Sequence, residues 1–205
     1  MARPEFIRRP VYLNTAAYPC LFCSSHGPFK TVEHIIPESL GNDDLLLTGH
    51  VCDRCQNYFG TKIEKYVLSK SPIAVWRTML RTATKKGKRP LADISQPTKD
   101  RGIFPQKSIR HDDVIFESHD DESTSVSLDS ECIKAILSGN KTGFQVVFSP
   151  HMLSMIGRFL CKVGLELICL TDPEVARSIK FNRCRNYARN GEGKMLWPIL
   201  LYQEG

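Results

Sequence analysis

Eight cysteines are spread over the chain, and four of them form two close pairs that could bind a metal ion. The pairs are Cys20-x-x-Cys23 and Cys52-x-x-Cys55, with 28 residues between them. Four thiolates with this spacing are typical of a closed, tetrahedral structural zinc site. The other four cysteines stand singly in apolar or helical surroundings and are predicted to be small buried hydrophobes: Cys132, Cys161, Cys169 and Cys184.

The start of the chain favours a reducing environment for these cysteines. Residues 1–10 carry Arg3, Arg8 and Arg9 without the apolar stretch of a secretory signal, and no apolar run approaches the roughly 18 residues that span a bilayer. We therefore expect a cytoplasmic protein without membrane association. Because cytosolic thiols stay reduced, a zinc site is favoured over a disulfide framework.

The segment between the cysteine pairs has the pattern of a hairpin that leads into a helix. Residues 32–36 and 45–51 are predicted as strands, with the turn at Gly41-Asn42-Asp43 between them. After Cys52 the apolar residues follow helical spacing, which predicts a helix from the second cysteine pair towards Ser69. One zinc ion would hold the hairpin and the helix together.

These residues resemble the HNH, or ββα-metal, nucleases, in the subgroup whose motif lies within a four-cysteine zinc site. The resemblance covers about residues 18–68 and implies a metal-dependent endonuclease that hydrolyses phosphodiester bonds in DNA. It implies a structural Zn²⁺ and a catalytic Mg²⁺ or Mn²⁺. The matching stretches are Cys20-Leu21-Phe22-Cys23, Glu33-His34-Ile35-Ile36-Pro37, Gly41, Cys52-Asp53-Arg54-Cys55 and Gln56-Asn57-Tyr58-Phe59-Gly60.

The resemblance gives Glu33 and His34 their roles, and their chemistry agrees with it. His34 is the expected general base, because an imidazole titrates near the working pH and can deprotonate a water. Glu33 is the expected first ligand of the catalytic metal, since its carboxylate is a hard oxygen donor for Mg²⁺ or Mn²⁺. Such a cation would neutralise charge that develops on the phosphate.

The next metal ligand is where the sequence departs from the family. The residue after the last cysteine is usually Asn or His, and here it is Gln56, with Asn57 following. Gln56 carries the same amide oxygen on a longer stem, whereas Asn57 would need the helix rotated by about 100°. We favour Gln56 as the ligand over Asn57. If neither side chain places its oxygen correctly, catalysis is lost. The alternative function is therefore a zinc-stapled nucleic-acid-binding module with an inactive nuclease site.

Positive charge is concentrated in the first half of the chain. Residues 1–110 hold 18 Lys and Arg against 9 Asp and Glu, and residues 111–205 hold 10 against 13. A helix is predicted from residue 73, after the capping pair Ser71-Pro72, and it leads into the densest basic cluster. We predict that this cluster contacts nucleic-acid phosphates, with a solvated helix end as the alternative: Arg77, Arg81, Lys85, Lys86, Lys88 and Arg89.

The whole chain is expected to be α+β, with three regions. Residues 1–70 form the zinc-stapled HNH motif, residues 71–110 a basic helix and linker, and residues 111–205 an α+β region built on antiparallel strands. The last region fits a role in specificity, dimerisation or packing support, so a homodimer is compatible with it.

Two helices are predicted in the last region. Ser149-Pro150 precedes a long helix, and Thr171-Asp172-Pro173-Glu174 forms a capping box for a second helix that runs to Gly191 with Val175 and Ile179 inward. Lys162 and Glu166 lie four residues apart on the long helix and are predicted to be a surface pair, with a polar site as the alternative. The long helix has one predicted apolar face: Met152, Ile156, Phe159, Leu160, Val163 and Leu167.

Overall fold

The structure is a computed structural model that describes residues 18–80, 91–93, 115–118, 124–127, 130–140 and 149–192. It begins with a small hairpin. Strand β1 (Glu33–His34) pairs antiparallel with β2 (Leu46–Leu47), so that Glu33 lies opposite Leu47 and His34 opposite Leu46. The two predicted strands are confirmed, although regular pairing is shorter than the sequence pattern indicates.

The hairpin connection is built from a short helical turn and one asparagine. A 3₁₀ turn (Glu38–Leu40) ends at Gly41, whose φ of 84° is a left-handed conformation that suits glycine. The amide of Asn42 then donates to the carbonyls of Ile36 and Leu45. The predicted turn is therefore confirmed, and Asn42 holds its two sides together.

One helical rod follows the hairpin, as predicted from the second cysteine pair. It consists of α1 (Asp53–Tyr58), a π-helical segment (Phe59–Glu64) and α2 (Lys65–Lys70). Cys55, Phe59, Ile63 and Val67 recur every four residues and are buried along one face. Helix α3 (Pro72–Met79) begins at the predicted cap, where the Ser71 side chain accepts a hydrogen bond from the Ile73 amide.

An antiparallel sheet of three strands comes next. It contains β3 (Leu91–Asp93), β4 (Ile115–Ser118) and β5 (Thr124–Ser127), paired in that order. Strands β4 and β5 agree with the antiparallel strands expected within residues 111–205. The strand at 91–93 was not predicted, because that segment has the Pro and Gly content of a linker.

The described chain ends with helices. These are α4 (Ser130–Leu137), α5 (Pro150–Thr171), α6 (Pro173–Arg177), a 3₁₀ turn (Ile179–Phe181) and α7 (Asn182–Asn190). Ser149 caps α5 and Asp172 caps α6, each accepting from backbone amides ahead of it. No helix in these described ranges is long and apolar enough to cross a membrane.

The single helix predicted after Asp172 is wrong, since the structure divides it. Ser178 has extended backbone, which ends α6, and the guanidinium of Arg185 donates to the carbonyls of Ala176 and Ser178 at this break. Val175 and Ile179, predicted to point inward, are 46 % and 83 % exposed. The expectation that these two side chains point inward is therefore wrong.

Helix α5 packs on the hairpin and its helical rod, and the contact joins the two ends of the described chain in one core. Phe159 and Leu165 are buried in the same hydrophobic cluster as Leu21, Ile35 and Phe59. The predicted apolar face of α5 is partly wrong, because Leu160 and Leu167 are exposed. The buried face instead includes two charged residues, Lys162 and Glu166.

Candidate functional site

The four paired cysteines meet at one point, as the sequence predicts. The Sγ atoms of Cys20, Cys23, Cys52 and Cys55 all lie within 4.8 Å of one another. A zinc ion with Zn–S bonds of about 2.3 Å needs sulfurs close to 4 Å apart, so the donor set fits structural zinc. The hydrogen bond between Cys55 and Cys20 lowers the pKa of Cys20 to about 4 and raises the pKa of Cys55, so in the metal-free site Cys20 is the thiolate and Cys55 keeps its proton.

The start of α1 is braced against the chain that leads into β1. Asp53 accepts hydrogen bonds from the backbone amides of Lys30 and Thr31. The Gln56 side chain accepts from the Thr31 hydroxyl at 2.8 Å and donates to the carbonyls of Thr31 and Val51, both at 3.0 Å. Both ends of the Gln56 amide therefore hold the helix to the hairpin.

Glu33 and His34 occupy β1 and face different surroundings. Glu33 is only 6 % exposed. His34 is half-buried, and its Nδ1 is a buried atom with no hydrogen-bond partner among the described residues. Only Nε2 of that ring is then left to exchange a proton with a water.

Glu33 belongs to a buried cluster of charges centred on Lys162 of α5. The Lys162 Nζ lies 2.5 Å from Glu33 Oε1, 2.9 Å from Glu64 Oε1 and 3.1 Å from Glu166 Oε2. The predicted surface pair of Lys162 and Glu166 is thus wrong, since both residues are 0 % exposed. We call Lys162 and its three glutamates the lysine cluster.

Burial dominates the electrostatics of the lysine cluster. Burial raises the pKa of Glu166 well above its ordinary value of 4.5, while Lys162 acts in the opposite direction. Burial also raises the pKa of Glu33, again against the attraction of Lys162. For Lys162 burial acts to lower the pKa, but the carboxylates around it prevail and raise it. The ammonium is therefore charged, and Glu166 is the acid that keeps its proton most readily.

The residues expected to hold a catalytic divalent ion do not fit one in this arrangement. Glu33 gives one carboxylate oxygen to Lys162 and has little contact with water. Gln56 uses its amide oxygen and nitrogen in hydrogen bonds to the hairpin. Asn57, the alternative ligand, is exposed on the next position of α1. Glu33 and Gln56 are therefore already engaged by groups of the protein itself.

Arg77 is the one residue of the predicted basic cluster that the structure describes, and the prediction that it contacts phosphates is wrong. Arg77 is 7 % exposed and donates to the carbonyls of Ser39 and Leu68. Its guanidinium supports the hairpin connection and is not available to a phosphate. The other five residues lie outside the described residues: Arg81, Lys85, Lys86, Lys88 and Arg89.

Glu64 and the burial of its partners were not predicted from the sequence. Glu64 lies at the end of the π-helical segment, where nothing in the local pattern separates it from a surface glutamate. The one available signal was the spacing of Lys162 and Glu166, which are one helical turn apart among apolar residues. Helical periodicity would have placed both on the inward face had they been apolar.

Comparison with known proteins agrees with the motif. Residues 20–71 match the family model of HNH endonucleases, which confirms the resemblance over that segment. No curated protein and no solved structure matches the chain. The matched segment holds the four cysteines, the hairpin and the helical rod, whereas Lys162 and Glu166 lie outside it.

We predict that Cys55→Ser removes the zinc and unfolds the hairpin and rod. A hairpin whose strands have two residues each is not stable by itself, so we expect metal binding to supply much of its folding free energy. Metal analysis should fall from about one zinc per chain to near zero, and circular dichroism should show lost helix. Cys184→Ser is the matched control, since that half-buried thiol lies outside the four. A folded Cys55→Ser protein with full zinc content would contradict the site.

We predict that Glu166→Gln becomes more stable, relative to the parent chain, as the pH rises. Above about pH 4.5 the unfolded chain loses the Glu166 proton that the folded chain keeps, so the free energy of unfolding falls with rising pH. The glutamine variant lacks this loss. Urea unfolding at about pH 5 and about pH 8 should show a relative gain of roughly 1 kcal/mol or more.

The control for this measurement is Glu192→Gln, which changes an exposed glutamate. Its stability relative to the parent chain should not depend on pH in this way. If Glu166→Gln instead loses stability at the higher pH, Glu166 is an ionised partner of Lys162 and its assigned protonation is wrong.

Proposed function

We propose that the protein is an endonuclease of the HNH kind that hydrolyses phosphodiester bonds in DNA. One observation carries the proposal: the segment that matches HNH endonucleases folds as a hairpin and a helix whose four cysteines meet at one point. An HNH motif implies a nucleic-acid substrate, and the basic first half of the chain suits a polyanion.

His34 is the proposed general base. Its Nδ1 is buried and without a partner, so Nε2 would take the proton from the attacking water. The backbone at this residue is held firmly, because the His34 carbonyl accepts a hydrogen bond from Lys162 at 3.1 Å. A base held in this way needs little reorganisation before it reacts.

Mg²⁺ or Mn²⁺, when bound, would neutralise charge on the phosphate and the leaving oxygen. The resemblance offers Glu33 with Gln56 or Asn57 as its ligands, but the contacts of Glu33 and Gln56 do not suit that role. We therefore derive no catalytic step through a divalent ion.

A second candidate is a zinc-stapled nucleic-acid-binding module whose nuclease site is inactive. The pairing of Glu33 with Lys162 and the hydrogen bonds of Gln56 favour it, because both residues have structural partners in place of a metal. The two candidates share a substrate and differ in whether the phosphodiester bond breaks.

Plasmid nicking separates the two candidates. We expect the zinc-loaded protein to convert supercoiled plasmid to the nicked form, and His34→Ala to lower the rate by at least about a hundredfold, as for loss of a general base. The assay is run with Mg²⁺, with Mn²⁺ and with no added divalent ion, and without chelator so that the structural zinc stays bound. His26→Ala is the control, because this exposed histidine is not one of the proposed site residues.

Equal rates for His34→Ala and the parent protein would contradict the role of His34. Binding of plasmid without cleavage under every condition would support the binding module.

We further propose that the basic residues after α3 contact the DNA backbone. Reversing Lys85 and Lys86 to glutamate should weaken binding to all DNA sequences and reduce the slope of log affinity against log salt by roughly one for each lost phosphate contact. Reversing Lys134 and Lys180, which are exposed on other elements, changes the net charge equally and is the control. Fluorescence anisotropy over a salt series measures both. Equal losses in the two variants would contradict the proposed surface.

A further inference from the structure

The Lys162 ammonium lies inside a cage of five oxygen atoms. Three belong to the carboxylates of Glu33, Glu64 and Glu166, at 2.5, 2.9 and 3.1 Å. The other two are the carbonyl oxygens of His34 and Ile35, at 3.1 and 3.3 Å. An ammonium has three N–H donors, so five oxygens at these distances exceed what it can pair with individually. The cage surrounds a positive charge as ligands surround a cation.

The composition of the cage is that of a hard-cation site. Carboxylates and backbone carbonyls are the protein ligands that Ca²⁺, Mg²⁺ and Mn²⁺ prefer. The carboxylates come from three elements, namely β1, the π-helical segment and α5. Glu166 adds a second indication of a cation position, since it is fully buried, its Oε2 faces the ammonium at 3.1 Å, and its Oε1 has no hydrogen-bond partner among the described residues. Such an atom is tolerated where a positive charge lies close by.

The cage lies at the motif itself. Glu33 is the residue to which the HNH resemblance gives the catalytic metal, and His34 is the neighbouring proposed base. The cation comes from α5, far along the chain and outside the matched segment of residues 20–71.

We propose that the ammonium group of Lys162 is the resident cation of this motif and occupies the position beside Glu33 that the resemblance assigns to a divalent metal ion. Lys162 is 0 % exposed and Glu33 is 6 % exposed. Mg²⁺ normally keeps several of its waters, whereas Glu33 has little exposed surface for a hydrated ion to contact. A second cation beside Lys162 would also be repelled by it.

The first test measures Mn²⁺ binding to the zinc-loaded protein by the paramagnetic resonance signal of the free ion. We expect the parent protein and Glu33→Gln to bind Mn²⁺ equally weakly, because Glu33 already has its cation. Mn²⁺ binds thiolates less tightly than zinc, so the cysteine site does not interfere. Binding of one Mn²⁺ per parent chain that Glu33→Gln abolishes would overturn the proposal, since a divalent ion would then be the cation of the site.

The second test empties the cage. Lys162→Ala removes the ammonium and leaves three carboxylates and two carbonyls around the space. We expect this variant to melt at a lower temperature than the parent and to regain about 4 °C or more when Mn²⁺ is added at a concentration well above its dissociation constant. The same variant should bind about one Mn²⁺ per chain in the resonance assay.

Arg77→Ala is the matched control for the second test. It also removes a buried cation, but one whose partners are the carbonyls of Ser39 and Leu68, with no carboxylate. Its stability should fall without recovery in Mn²⁺. If Lys162→Ala gains no more from Mn²⁺ than Arg77→Ala does, the cage is not a cation position and the proposal fails. If Lys162→Ala does not fold even with Mn²⁺, the first test decides the proposal, because it compares Mn²⁺ binding by the parent protein and by Glu33→Gln.

This inference does not depend on the proposed function. Its readouts are Mn²⁺ binding and melting temperature, so a protein that cuts no DNA can still support it. A protein that cuts DNA without added divalent ion would agree with both proposals.

Discussion

A buried ammonium joins the first and last parts of the described chain. Lys162 of α5 contacts Glu33 of β1 and Glu64 of the helical rod, and these contacts fix the long helix against the hairpin. Burying a charge away from water costs free energy, so a buried ammonium is stable only when several close partners compensate for the lost hydration. Loss of one partner of a buried pair typically destabilises a protein by about 3–5 kcal/mol, because the remaining charge is left without compensation.

The hairpin depends on this contact because it is held from outside at both ends. Its two strands pair over only two residues each, too few for independent stability. At one end the four cysteines meet, and Gln56 and Asp53 bind the chain before β1. At the other end Lys162 binds the carbonyls of His34 and Ile35. The position of His34 therefore results from the four-cysteine site and the lysine cluster together.

Local sequence signals predicted much of this arrangement, and long-range contacts set the rest. Caps at Ser71 and Ser149, the turn at Asn42 and the helix after Cys52 each depend on neighbours within about four residues. Arg77 depends on Ser39, and Lys162 depends on Glu33, whose positions along the chain are far apart. No periodicity encodes such a pairing, so a buried basic residue has the sequence pattern of an exposed one. The same reason explains why Glu64 was missed.

Residue type and spacing assign a possible chemistry, but surroundings decide which chemistry remains. Glu33 lies where the resemblance to HNH nucleases implies a metal ligand. With α5 in place, its Oε1 lies 2.5 Å from the Lys162 ammonium. Gln56 departs from the family in type, and its amide is likewise engaged by Thr31 and Val51. At this proposed site Gln56 differs from the family in type and Glu33 in environment, and both side chains contact groups inside the protein. The His34 ring has no hydrogen-bond partner at Nδ1 among the described residues, so the proposed reaction depends on His34 rather than on the two ligands.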